Sequence, residues 1–158
     1  MEIRIGQGFD IHPLEEGGPL FLGCVQIPED LHLKAHSDGD VVAHSIADAL
    51  LGPLGLSLGD VFLPDERNKG RKGASILEEV CGILSQRGWE IVNVDVSVIG
   101  DRPRLRPWQD IMQTAVARAL KTEAARINIR PRHMEGLGIG SKGLAALAVV
   151  LIRRIEDG

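Results

Sequence analysis

The sequence predicts an α/β (α+β) sandwich, a small mixed β-sheet covered by helices, in one domain spanning residues 1–158. Three observations predict it. Val92, Val94, Val96 and Val98 alternate as a strand does, whereas Ile76, Val80, Ile83 and Leu84 share one helical face. The two kinds of pattern do not alternate regularly along the chain, which disfavours a doubly wound sheet. A length of 158 residues with 44% apolar and 25% charged side chains suits a single domain with a real core.

The elements follow in order. Ile3 and Ile5 alternate with Glu2, Arg4 and Gly6 in a first strand. Gly17-Gly18-Pro19 reads as a turn, and Leu20–Leu22 and Val25–Ile27 flank Gly23-Cys24 as a small hairpin that Pro28 ends. Asp40–Leu51 is helical, capped by Asp40 and stopped at Gly52-Pro53. Asp65–Gly73, charged and glycine-bearing, reads as a mobile exposed loop. Ser75–Gln86 is the second helix, ended by Gly88, and the valine strand comes next. Pro107 opens a third helix at its first turn, with Ile111, Ala115, Ala119 and Leu120 facing inward. Ile127 and Ile129 mark a further strand, and the β-branched run Val149, Val150, Ile152 makes Ala145–Ile155 the last. The order is β-β-β-α-α-β-α-β-β.

Composition narrows the function classes. The formal charge is −4 and there are three Phe, two Trp and no Tyr, a poor basis for a nucleic-acid surface. The apolar run from Gly143 to Ile152 is about ten residues where a membrane span needs about 20. With no apolar leader at the N-terminus, the expectation is a cytoplasmic protein, or one of the plastid stroma if a transit peptide has been removed. The lone cysteines, Cys24 and Cys81, are expected to be buried thiols in a reducing compartment.

Four of the five histidines fall in the first third of the chain, among Asp10, Asp38, Asp40 and Asp48. On a strand, Asp10 and His12 point to the same side and can close on one metal ion. His44 and Asp48 share a helical face, and an aspartate beside a ligand histidine can orient its second ring nitrogen. One Asp and two His leave a tetrahedral position open, as catalytic zinc requires. Surface histidines and helix salt bridges would give the same spacing. His36-Ser37-Asp38-Gly39-Asp40 is either capping chemistry or an anion site at a helix start. Gly136–Gly143, G-L-G-I-G-S-K-G, is either a phosphate cradle with Lys142 as its cation or a glycine-rich turn. Arg102, Arg104 and Arg106, ahead of a helix, oppose its dipole unless an anion sits there; a solvated basic loop is the alternative. No G-x-S-x-G elbow, G-x-G-x-x-G fingerprint or P-loop is present.

R-I-G-Q-G-F-D-I-H at Arg4–His12 and A-H-S-D-G-D-V-V-A-H-S-I-A-D-A-L-L-G at Ala35–Gly52 resemble the 2-C-methyl-D-erythritol 2,4-cyclodiphosphate synthase family. The likeness continues through N-V-D-V-S-V-I at Asn93–Ile99, R-P-R-L at Arg102–Leu105 and E-G-L-G at Glu135–Gly138, covering nearly the whole chain. It implies a ferredoxin-like topology and a homotrimer with active sites between subunits. The implied zinc ligands are Asp10, His12 and His44, with Glu135 for a second ion, Mg²⁺ or Mn²⁺, on the diphosphate. The implied substrate is a cytidine diphosphate ester of methylerythritol 2-phosphate, whose 2-phosphate attacks the β-phosphorus and expels CMP.

Further roles come from the same resemblance. His36 and Ser37 hold phosphate, and His36 and His133 are the catalytic side chains. Asp48 supports the metal helix. The segment Gly100, Asp101, Arg102, Pro103, Arg104, Leu105 and Arg106 holds cytosine largely through its backbone. Arg132, His133, Glu135 and Lys142 face phosphate, and Asp10 and His12 also meet the substrate. Asp60 and Asp65 belong to the stretch around the methylerythritol part. That stretch departs from the family: G-D-V-F-L-P-D-E-R-N at Gly59–Asn68 is two residues shorter than G-D-I-G-x-L-F-P-D-T-D-P and lacks its second aspartate. Arg132, His133 and Met134 replace a run of threonines, and S-K-G-L-A replaces G-R-G-E-G. Arg132 and His133 can bind phosphate by charge, whereas Met134 has no hydrogen to donate. Alternatives are a zinc-binding trimeric homologue with changed activity, serving as a binding or regulatory module, and an unrelated zinc hydrolase.

Overall fold

Fourteen residues of extended backbone, Ile3–Glu16, form β1, the longest strand of the chain. In the computed structural model, which describes residues 1–138 and 142–156, three short strands follow: β2 (Leu20–Leu22), β3 (Val25–Ile27) and β4 (Leu31–Leu33). Helix α1 spans Val41–Leu51 and a single turn, α2, spans Leu58–Val61. Then come α3 (Gly73–Gln86), β5 (Trp89–Ile99), α4 (Gln109–Ala119), β6 (Ile127–Arg132) and β7 (Gly143–Arg154). The α/β sandwich expected from the sequence is the fold found. Strand β4 and helix α2, each too short to show a period, are additions to the expected order.

The five-stranded sheet runs β4-β1-β7-β5-β6, and β2 and β3 pair separately as the expected hairpin. Strand β7 lies antiparallel to both β1 and β5, whereas β5 and β6 are parallel. The connection from β1 to β5 through α1 and α3 therefore skips one strand, β7, giving a split β-α-β unit. The connection from β5 to β6 through α4 joins neighbours.

Helix α1 is the centre of the molecule. Every residue of it is buried except Asp48, including the polar His44 and Ser45, as expected of a helix apolar on nearly all sides. It lies directly on β1 because Gly6 and Gly8, two apart, present no side chain to it. A Cβ on Gly8 would sit 2.0 Å from the Ser45 carbonyl oxygen, and one on Gly6 1.8 Å from that of Ala49. The buried carboxylate of Asp40 accepts hydrogen bonds from Ala43 N, in the first turn of α1, and from Gly23 N and Cys24 N in the β2–β3 turn. One side chain thus caps the helix and fastens the hairpin to it.

Three local readings are corrected. In β5 the valine alternation holds from Val94 to Val98. A bulge between Ile91 and Asn93 breaks the phase, so Ile91 joins Trp89 in the core and Val92 is only half-buried. In α4 the inward face is Met112, Val116, Ala117 and Ala119, and Ile111 is 50% exposed. Ala119 and Leu120 are buried as expected, but Met112 takes the inward place of Ile111 and lies beside Gly23. Pro107 lies in a 3-10 turn, Arg106–Trp108, that precedes α4 rather than in its first turn. The two cysteines are free and half-buried.

Helices cover one sheet face. On the other, Ile3, Ile5, Phe9, Ile11 and Val149 remain 43–73% exposed. No helix among the described residues is long and apolar enough to cross a membrane.

Candidate metal centre and the groups around it

The inner face of β1 reads Gly6, Gly8, Asp10, His12, Leu14, since alternate residues of a strand share a side. Beyond the two glycines, Asp10 and His12 meet His44 of α1. Asp10 Oδ2 lies 3.1 Å from His12 Nε2 and 3.1 Å from His44 Nδ1. The two imidazoles stand nearly perpendicular, with centroids 6.3 Å apart. One ligand atom from each of the three residues falls within 4.8 Å of the others. Ligands bound to tetrahedral zinc at about 2.0–2.1 Å are about 3.3 Å apart, so the two Asp10–histidine distances are close to those of a zinc site, and Asp10, His12 and His44 would hold such an ion.

The electrostatics suit a cation. Burial pushes the Asp10 carboxyl up, but hydrogen bonds and charge from His12 and His44 outweigh it and bring it down to about 2. Burial pulls His44 down, yet the facing Asp10 together with Asp40 and Asp38 leaves it raised. Three carboxylates thus surround one buried ring.

The loop before α1 wraps the same place. Ser37 Oγ is 3.2 Å from His44 Nε2, and Asp38 Oδ1 is 3.8 Å from it. Asp38 also accepts hydrogen bonds from Asp40 N and Gly73 N, at the starts of α1 and α3. Sequence spacing pointed instead to Asp48 as the aspartate behind the ligand histidine. The Asp48 carboxylate accepts from Leu58 N and anchors α2. The capping reading of Asp40 is correct, while Asp38 was the residue missed. Its only signal was its place in H-S-D-G-D.

His36 is exposed, and its Nε2 is 2.8 Å from the Asp65 carbonyl oxygen. The 63–71 segment is laced together: Asp65 pairs with Arg67, Asn68 Nδ2 donates to Leu63 O, and Arg71 reaches both Asn68 and Glu79. The Asp65 carboxyl is held low by the Arg67 guanidinium. Asp60 is committed to Ser57, whose N–H and hydroxyl it accepts from at 2.8 and 2.7 Å as a capping box.

A second group gathers where β5 and β6 end. Gly100 N donates to Arg132 O, Met134 N donates to Asp101 Oδ1, and His133 Nδ1 stands 4.0 Å from the same oxygen. Arg102 pairs with Glu16. Leu105 is buried, which leaves only its backbone for a ligand. Arg104, Arg106, His133, Glu135 and Lys142 are exposed or half-exposed at this end. Lys142 fixes its strand through its carbonyl, which accepts from Leu14 N. The middle of the glycine-rich segment read as a phosphate cradle, residues 139–141, lies outside the described residues. Strand β6 is three strands from β1, about 14 Å at the usual strand spacing. Within one chain the 132–135 residues are therefore set apart from the metal triad, whereas Arg102 reaches the end of β1 at Glu16.

The YgbB family pattern matches residues 3–153. The 2-C-methyl-D-erythritol 2,4-cyclodiphosphate synthase of Geobacillus kaustophilus is 41% identical over 157 residues, covering 96% of this chain and 98% of the relative. A solved structure of a synthase of that name in a CDP-bound form superposes with a TM-score of 0.88 at 34% identity, over 95% of this chain and all of the other. The bifunctional IspDF from Campylobacter jejuni superposes with a TM-score of 0.92 at 36% identity. There the match covers 98% of this chain but 43% of that longer protein.

Proposed function

The chain belongs to the YgbB family, and we propose that it acts as a 2-C-methyl-D-erythritol 2,4-cyclodiphosphate synthase. The observation that carries this is the Asp10–His12–His44 triad, assembled by β1 and α1 in a chain about as long as its relatives. The substrate is 4-diphosphocytidyl-2-C-methyl-D-erythritol 2-phosphate. One oxygen of its 2-phosphate attacks the β-phosphorus, the bond from that phosphorus to the oxygen bridging it to the cytidine-bearing phosphate breaks, and CMP leaves. This is a phosphorus–oxygen lyase reaction that closes 2-C-methyl-D-erythritol 2,4-cyclodiphosphate.

Both reacting groups belong to one molecule, so the protein supplies no nucleophile and gains most by holding the phosphates in line. Asp10, His12 and His44 would hold Zn²⁺ and Glu135 would hold Mg²⁺ or Mn²⁺; when bound, these ions would supply Lewis-acid charge to the diphosphate. His36 and Ser37 orient the 2-phosphate, and His36 and His133 neutralise charge as it moves to the leaving oxygen. Arg132 and Lys142 add positive charge. The 100–106 segment receives cytosine through its backbone, and Asp60, Asp65 and their loop border the methylerythritol part.

Two observations support a homotrimer with sites between subunits. Ile3, Ile5, Phe9 and Ile11 form an exposed apolar sheet face among the described residues. The about 14 Å between β1 and β6 is spanned if one subunit's 132–135 group faces a neighbour's triad. The reaction is placed in the cytoplasm, or in the plastid stroma of a plant or alga. The test is incubation of purified protein with the cytidine diphosphate substrate, Zn²⁺ and Mg²⁺. Metal-dependent appearance of CMP together with the cyclic product is expected. A zinc-loaded trimer that forms neither overturns the assignment in favour of a binding or regulatory homologue.

A further inference from the structure

Two side chains outside the ligand set face the far nitrogen of His44. Its Nδ1 is turned to Asp10, 3.1 Å from Oδ2, so Nε2 points away from the triad. There it meets Ser37 Oγ at 3.2 Å and Asp38 Oδ1 at 3.8 Å. The Asp38 side chain is only 4% exposed. Its position is fixed from two directions: Asp40 N donates to Oδ1 at 3.0 Å and Gly73 N to Oδ2 at 2.8 Å. Ser37 Oγ is held in turn by Gly39 N at 3.4 Å.

An imidazole that offers Nδ1 to a metal carries its proton on Nε2, and whatever accepts that proton sets the ring's orientation and basicity. We propose that Ser37 and Asp38 are positioning residues for His44. The Ser37 hydroxyl oxygen accepts Nε2–H, and the Asp38 carboxylate, clamped between the starts of α1 and α3, adds the negative charge that favours that tautomer. The 37–38 turn therefore does more than face phosphate: it sets how tightly His44 holds a metal before any substrate arrives. Because Asp38 also grips Gly73, at the end of the 63–72 segment, that segment and the metal centre share one carboxylate. The inference rests on the reading of Asp10, His12 and His44 as a zinc site.

The test is zinc affinity of substrate-free protein, read by competition with a chromophoric chelator, for the wild type, Ser37→Ala, Ser37→Thr and Asp38→Asn, with His44→Ala alongside. Ser37→Ala and Asp38→Asn are expected to weaken zinc binding roughly 10- to 100-fold. Threonine, which keeps the hydroxyl, is expected to restore most of the loss. Wild-type affinity in both Ser37→Ala and Asp38→Asn overturns the proposal while leaving the zinc site intact. Lowered melting temperature with unchanged affinity does so too, since it assigns Asp38 a purely structural role. A wild type that binds no zinc, or a His44→Ala variant that binds it as tightly, overturns the zinc site itself and this proposal with it.

Discussion

Substituting Gly8 by alanine should cost the protein its metal site through backbone geometry alone. The added Cβ would stand 2.0 Å from Ser45 O and 2.6 Å from Ala49 N, both backbone atoms of α1. Restoring an ordinary carbon–oxygen contact of about 3.2 Å requires α1 to retreat from β1 by about 1.2 Å. His44 precedes Ser45 and moves with the helix, while Asp10 and His12 stay on the strand. Metal–ligand distances tolerate about ±0.2 Å, so the retreat is several times what the site allows. Overpacking of this kind costs about 1–3 kcal/mol, small enough for a folded protein to remain. The assay is zinc affinity by chelator competition, with circular dichroism to confirm folding. Gly59→Ala, where no atom lies within 4 Å of the new Cβ, is the control. A fall of at least about 10-fold is expected for Gly8→Ala, with no change in the control. Wild-type zinc affinity in folded Gly8→Ala would refute the argument that glycine-mediated approach of α1 builds the site.

Other outcomes follow from the same geometry. His44→Ala should abolish zinc binding, read by metal analysis, while gel filtration still gives the wild-type oligomer; retained zinc would remove His44 from the ligand set. Asp40→Ala strips three backbone N–H groups of their acceptor and should destabilise the fold by about 3–5 kcal/mol in urea titrations; a loss below about 1 kcal/mol would contradict its anchoring role. In metal-free protein, the Asp10 carboxyl lies below its ordinary 3.8, at about 2, and His44 lies above its ordinary 6.5. The Asp10 contribution is therefore present above pH 3.8 and lost as pH falls through about 2. The His44 contribution is present below pH 6.5 and lost as pH rises through its raised folded value. Melting temperature after chelation should thus peak on the acid side of neutrality; a profile that Asp10→Asn leaves unchanged would count against the pair. Replacing His133 by threonine should lower kcat, because the imidazole faces the charge that develops on the leaving oxygen; an unchanged or raised kcat would remove His133 from the catalytic set.

Long periodic elements were legible in the sequence, and short or interrupted ones were not. The helix over 41–51 and the helix ending at Gln86 emerge from spacing, and the final strand from its β-branched run Val149, Val150, Ile152. Three-residue β4 and one-turn α2 carry no period; they exist because Leu14 and Leu33 pair and because Asp48 and Asp60 cap Leu58 and Ser57. The β5 bulge and the rotated face of α4 were invisible because tertiary neighbours decide them. At the site, Asp10 and His12 follow from strand parity, but their meeting with His44 depends on a glycine pair whose meaning shows only once α1 is in place. Asp38 was hidden for a similar reason: its partners, Gly73 and His44, are distant in sequence.

An intramolecular attack by the substrate's own phosphate is what separates this chemistry from hydrolysis. The most direct test runs the reaction with Zn²⁺ and Mg²⁺ in ¹⁸O-labelled water and weighs both products. CMP and a cyclic diphosphate free of label are expected, with no water consumed. Label in either product, or a linear diphosphate in place of the ring, would show water to be the nucleophile and make the protein a hydrolase instead.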